Sequence, residues 1–181
     1  FSDGTGNGSK NLTGLAAIVS TTATLGGLSP TTYAWWKGDV TAAAGSFAAT
    51  GLDKMRTTFN TLSMGNDKPD FIITDQNVYE YFEKSLQPAE RYTNTKVANS
   101  GFTSLTFKGI PLMFDRDCTA GYMYFLNSQY MNLVVHKDAD LATGEFQRPT
   151  NQDAIVAQIL FQGNLTTGNR RKHGVIQGIT A

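Results

Sequence analysis

The 181-residue chain is 40% hydrophobic and 17% charged, which supplies the apolar material for one domain's core and excludes wholesale disorder. Fifteen basic and fifteen acidic residues cancel, whereas a protein dedicated to gripping nucleic acid carries a basic excess, and a neutral chain packs against its own copies without long-range repulsion. The single cysteine, Cys118, excludes an internal disulfide, and no apolar run reaches the roughly 18 residues of a membrane span.

Residues 1–10 are glycine-rich and polar, a flexible entry. The chain opens at Phe1 without a methionine, which points to an upstream portion cut away or not ordered. Residues 12–19 read as a short helix or a strand. Gly26-Gly27 and Ser29-Pro30 mark turns. Tyr33, Trp35 and Trp36 form an aromatic cluster, and residues 41–50 read as a small-residue loop. Leu52, Met55, Phe59 and Leu62 recur at helical spacing, with Gly65-Asn66 as the stop. Phe71-Ile72-Ile73 is a short buried strand, and Thr74 or Asp75 caps a second helix whose apolar face is Val78, Tyr81, Phe82 and Leu86.

The second half reads as strands. One contains Leu105, Phe107 and Ile110, and others span residues 112–114, 122–126 and 133–135. Residues 155–161 fit a long strand, 163–172 a polar, basic loop, and 175–179 a last strand. Short connections between the later runs give an α+β domain with a mixed or mostly antiparallel sheet.

The candidate chemistry is thin. Gly4, Gly6 and Gly8 match neither the Walker spacing nor the dinucleotide fingerprint. His136, Asp138 and Asp140 would share one face of an extended strand, but a metal-ligating histidine needs supporting partners that the sequence does not supply. No Gly-x-Ser-x-Gly elbow marks a nucleophile, and Cys118 reads as a small apolar filler. The run Arg170-Arg171-Lys172-His173 reads as an anion contact, a solvated loop or a rim of intersubunit ion pairs. Trp35 and Trp36, if adjacent on a strand, face opposite ways, so one is a candidate contact with a partner and the other core.

Several passages, taken in order, resemble tailed-bacteriophage major capsid proteins. They are Ser2-Asp3-Gly4-Thr5-Gly6 with Gly14-Leu15, Lys68-Pro69-Asp70-Phe71-Ile72-Ile73, Lys108-Gly109-Ile110-Pro111-Leu112, the Tyr124-Phe125-Leu126 strand, and the basic ending from Arg170 to Ile179. The resemblance implies the Hong Kong 97-type capsid fold. It implies an axial domain at residues 1–126, peripheral-domain strands at 127–171 and a return strand at 172–181. Complete members carry an N-terminal arm, an extended loop and a spine helix before the Asp-Gly-Thr-Gly turn, and this chain begins at that turn.

The implied function is that of a structural subunit of the virion capsid, built in the host cytoplasm. It would self-assemble into hexameric and pentameric capsomers, with portal or scaffold contacts and only non-specific contact with packaged DNA. No catalytic residue, cofactor or metal is implied. The loop from Gln87 to Lys96 would lie near the capsomer axis. Subunit-interface candidates are Trp35, Trp36, Glu90, Arg91, Tyr92, Arg170 and Arg171. An encapsulin-like compartment shell shares the implied fold. A virion accessory or carbohydrate-binding module, with Trp35, Trp36 and Tyr92 along one groove, is the competing class.

Overall fold

The computed structural model describes residues 1, 4, 10–90 and 105–181. A single turn of helix, α1 (Leu15–Ile18), leads through an irregular segment to strand β1 (Asp39–Ser46). A π-helical turn at Phe47–Gly51 then launches α2 (Leu52–Leu62). Residues 41–50 are therefore strand and turn rather than loop. The run has no apolar alternation because β1 sits at the sheet edge beside α2, where small residues suffice and the Thr58 hydroxyl donates to the Thr41 hydroxyl (3.2 Å).

Helix α2 buries Met55, Thr58, Phe59 and Leu62, the face its spacing predicts. It ends where the Ser63 N–H and hydroxyl both donate to the Phe59 carbonyl, at 3.0 and 2.7 Å, followed by a reverse turn at residues 64–67 with Gly65 at φ +63. Strand β2 (Phe71–Thr74) delivers the chain to α3 (Gln76–Glu90). The Asp75 carbonyl accepts the first helical bond, from the Tyr79 N–H (3.0 Å), and its carboxylate accepts from the Asn77 side-chain amide and the Gly121 N–H. Val78 and Phe82 are buried, with Tyr81 and Leu86 packed at the margin. Residues 87–90, expected in a loop, extend α3 by another turn.

Strands β3 (Thr106–Phe107) and β4 (Ile110–Phe114) form a hairpin around Lys108-Gly109, both at positive φ, so Ile110 opens the second strand rather than closing the first. Strands β5 (Met123–Leu126) and β10 (Gly174–Thr180) complete a six-stranded sheet in the order β1-β10-β5-β2-β4-β3. β1 runs parallel to β10 and β2 parallel to β4, and the other pairs are antiparallel. The sheet is mixed, as the short connections imply.

Every residue of β5 is buried because the sheet is covered on both sides. Met123 and Phe125 join Ile72, Leu112 and Ile176 beneath α2 and α3. Tyr124 and Leu126 point the other way, into a second core with Leu15, Ile18, Val19, Cys118 and Val175. Burying side chains of this size contributes about 1.5–3 kcal/mol each.

Between β5 and β10 the chain leaves the sheet as a long two-stranded ribbon. Strand β6 (Met131–Val135) pairs with β9 (Gly163–Thr167), and β7 (Ala142–Thr143) pairs with β8 (Ile159–Leu160). A bridge between Gln147 and Val156 carries the pairing toward the tip. Two sequence expectations change here. Residues 155–161 form only a short ladder, exposed along its length, and 163–167 are strand rather than loop. Asn164 and Thr166 face solvent, which makes the stretch look loop-like, while Leu165 packs against the second core.

Candidate functional site

Among the described residues the titratable side chains do not converge on a reactive centre. Among the described residues no three His, Cys, Asp or Glu side chains are placed to hold a metal ion. The strand geometry that would align His136, Asp138 and Asp140 is absent, because the chain turns there and the His136 Nδ1 accepts the Asp138 N–H at 3.2 Å. Cys118 is buried, and burial together with Asp75 and Asp115 pushes its thiol up to about 12, which removes it as a nucleophile. A recess of about 330 Å³ on the ribbon brings Glu145 and Arg148 to one rim without a nucleophile or a histidine.

The basic run at residues 170–173 is the main correction to the site. Arg170 is fully buried and spends its guanidinium inside the subunit. Nε donates to the Ile18 carbonyl (2.8 Å), Nη2 to Ala17 (2.7 Å) and Ser20 (3.0 Å), and Nη1 to Ala23 (2.9 Å) and Trp36 (3.4 Å). The planar fork thus terminates α1, whose last carbonyls have no helical partner, and ties residues 17–36 into one body. As an interface candidate Arg170 is withdrawn, because no part of it reaches the surface.

Lys172 is also buried and pairs with Asp67 at 3.4 Å. The Tyr130 hydroxyl donates to the same carboxylate at 2.6 Å. Tyr130 first, and then Lys172, hold that carboxyl below the ordinary aspartate range. His173 is enclosed as well, and of the four residues only Arg171 is exposed. Spacing gives no signal for this, since the carbonyl partners of Arg170 lie more than 130 positions away.

What the surface does present is apolar. Tyr33, Trp35 and Trp36 lie in a turn rather than on a strand and form a stepped stack, with ring centroids 5.9 and 5.8 Å apart. Trp36 is half-buried, donates from Nε1 to the Leu25 carbonyl (3.1 Å) and has the Arg170 guanidinium 6.0 Å from its ring centre. Trp35 is 56% exposed. Glu90 is the last residue of α3, and Arg91 and Tyr92 lie outside the described residues. Of the predicted contacts among the described residues, Trp35 and Trp36 stack on each other, Arg170 lies against Trp36 from inside the subunit, and Arg171 shares a recess with Lys37.

Sequence reasoning placed strands at 127–171 but missed the apolar surface that they leave exposed. Leu133, Leu141, Phe146, Ile155, Ile159 and Leu160 are all exposed there, Phe146 by 76%. Six large apolar side chains left open along one ribbon make it a candidate interaction surface. The available signal was the pair Ile159-Leu160, adjacent strand residues that point to opposite faces and are both apolar.

A family model described as SU10 major capsid protein matches residues 1–180. Among solved structures, the capsid asymmetric unit of cyanophage A-1(L) superposes with a TM-score of 0.61 at 18% identity, over 92% of this chain and 58% of that one. The holo-SrpI encapsulin complex from Synechococcus elongatus PCC 7942 superposes with a TM-score of 0.53 at 12% identity, over 78% of this chain and 53% of that one. The chain thus spans less than two thirds of either neighbour's length, and at these identities the likeness is one of fold. That fold is the α+β capsid fold expected from the sequence resemblance. No curated protein matches the chain. With 180 consecutive positions matched, the chain belongs to the SU10 major capsid protein family.

Proposed function

We propose that the chain is the shell-forming part of a tailed-phage capsid subunit, and that it works by burying surface against copies of itself rather than by turning over a substrate. The observation that carries this reading is the apolar ribbon left open in a chain that otherwise packs both faces of its sheet, in a member of a capsid family. Each specific contact in such a shell buries about 1,200–2,000 Å², and head-to-tail contacts close into rings under rotational symmetry.

In this reading the sheet and its helices, residues 1–126 with the return strand 172–181, are the axial domain. Residues 127–171 are the peripheral-domain strands. The topology supports this division, since every strand of the six-stranded sheet lies before residue 127 or after 173. Subunits would form hexameric and pentameric capsomers in the virion capsid around packaged DNA, with portal or scaffold as further partners. Glu90 and Arg91, where α3 ends, would pair around the capsomer axis.

Electron microscopy of the full-length product expressed alone tests the reading. Icosahedral shells or rings are the expected result, and persistent monomers would overturn it. Charge reversal at Glu90 and Arg91 should lower the shell yield, while an unchanged yield would remove those two residues from the axis. The encapsulin neighbour favours a second reading, a protein-filled compartment. Particles that enclose protein cargo and no DNA during infection would decide for it.

A further inference from the structure

Two surfaces of this chain complement each other and do not cover each other. The first is the aromatic turn, with Tyr33 42% and Trp35 56% exposed. Arg170 and the Leu25 carbonyl hold its backbone and the Trp36 ring in place, so docking would cost little ordering entropy. Lys37 and Arg171 line one recess beside it together with the half-buried Asp39, which leaves the recess with one cation in excess, and neither cation has an ion-pair partner among the described residues. Lys37 is the only charged residue between positions 25 and 38. The second surface is the ribbon, where Phe146 and Ile159 remain 76% and 68% exposed. Its charges have the opposite balance: Asp138, Asp140, Glu145 and Asp153 against Lys137 and Arg148. All four of those carboxylates are exposed, and none is ion-paired among the described residues.

An aromatic knob beside a net-cationic recess and an apolar ribbon with an excess of exposed carboxylates are complementary in shape of contact and in charge. Because Trp35 and Phe146 both stay open within a single chain, the contact is between chains. We propose that the aromatic turn of one subunit docks on the ribbon of a second copy, a head-to-tail contact with Trp35 as its anchor and Lys37 and Arg171 facing the ribbon's carboxylates. This rests on the shell-subunit reading and names the partner of its surface. Two different patches of the same chain meet, so the contact propagates from copy to copy instead of stopping at a dimer. An exposed aromatic with basic neighbours is the residue type that anchors such interfaces, and opposite charges set its register and approach rate.

The test uses full-length subunits carrying either Ala34→Cys or Gln147→Cys. Cys118, buried with its thiol pushed up to about 12, does not compete for reagent. Shells co-assembled from both variants and treated with a short bis-maleimide should yield covalent dimers on a denaturing gel, and shells of either variant alone should not. Separately, Lys37→Glu with Arg171→Glu should lower shell yield at least tenfold, and adding Asp140→Lys with Glu145→Lys should restore it. Mixed shells that assemble yet stay uncross-linked, or charge reversals that leave the yield unchanged, overturn the pairing and leave the shell reading standing. Wild-type protein that forms no shell overturns both.

Discussion

At the scale of single residues, the polar groups buried at the base of the ribbon are what the fold can least lose. Arg170 satisfies five carbonyls without a carboxylate partner among the described residues, so its charge is held by peptide dipoles and the face of the Trp36 ring, and burial lowers its pKa. Arg170→Met would orphan those carbonyls and should cost on the order of 3 kcal/mol or more, read as a lower urea midpoint. Arg170→Lys should recover little of that, because an ammonium cannot span a planar fork of acceptors. A lysine variant as stable as wild type would contradict the assignment. His173 makes a second prediction. The Asn127 backbone N–H can only donate, so Nδ1 must be the unprotonated nitrogen (3.3 Å) and Nε2 carries the proton facing the Thr167 hydroxyl (3.1 Å). Burial lowers the imidazole pKa to about 4, with Asp70 opposing weakly. The unfolded value is about 6.5. The neutral ring's contribution is therefore complete above that pH and is lost as pH falls toward 4, by about 3 kcal/mol in all. His173→Asn, which does not titrate, should flatten this part of the stability profile. Asp39, whose carboxyl burial pushes up, acts in the opposite sense, so the wild-type-minus-variant difference isolates the histidine.

At the scale of elements, the ribbon and the sheet should differ in local stability. Strands β2, β5 and β10 are paired on both edges and covered on both faces, whereas β6–β9 and β7–β8 are two-stranded and largely open. Two-stranded pairing alone is marginal in water. Amide exchange in the isolated chain should be slowest in β5 and β10 and faster by orders of magnitude in β7 and β8; equal protection would show that the ribbon is stabilised from within. The same contrast explains what could be read from the sequence. Helices α2 and α3 and strands β2, β5 and β10 bury a regular face, so Met55, Phe59, Val78 and Phe82 announce themselves by spacing. Strand β1 does not, because an edge strand of small residues under a helix carries no periodic signal. Arg170 was misread because composition treats a basic run as solvated, and only tertiary contacts with residues 17–36 make it core. The apolar run at 155–161 was legible as β structure but not as exposed, since an apolar run reads as buried and only the tertiary arrangement shows that no element of the subunit covers it. Gly121 gave no signal either. Its φ of +72 and its closeness to β10, where an added Cβ would lie 2.8 Å from the Ile179 carbonyl oxygen, are set by two strands far apart in sequence. Gly121→Ala should therefore destabilise by about 1–3 kcal/mol, measured as a lower thermal midpoint.

At the scale of the whole molecule, folding and association should be separable. Phe146 and Ile159 are exposed and outside both core clusters, so polar replacements there remove little that holds the chain together. Phe146→Ser with Ile159→Thr should leave the unfolding free energy within about 0.5 kcal/mol of wild type. A chain of zero formal charge with an open apolar ribbon has little to keep its copies apart. Sedimentation velocity should accordingly show the 181-residue chain self-associating as concentration rises, and the double variant staying smaller at the same concentration. Loss of folding in the variant would mean that the ribbon contributes to the subunit's own core. Unchanged association would mean that copies meet through the other faces. The expected combination, intact stability with weakened association, is what a surface selected for contact between subunits requires.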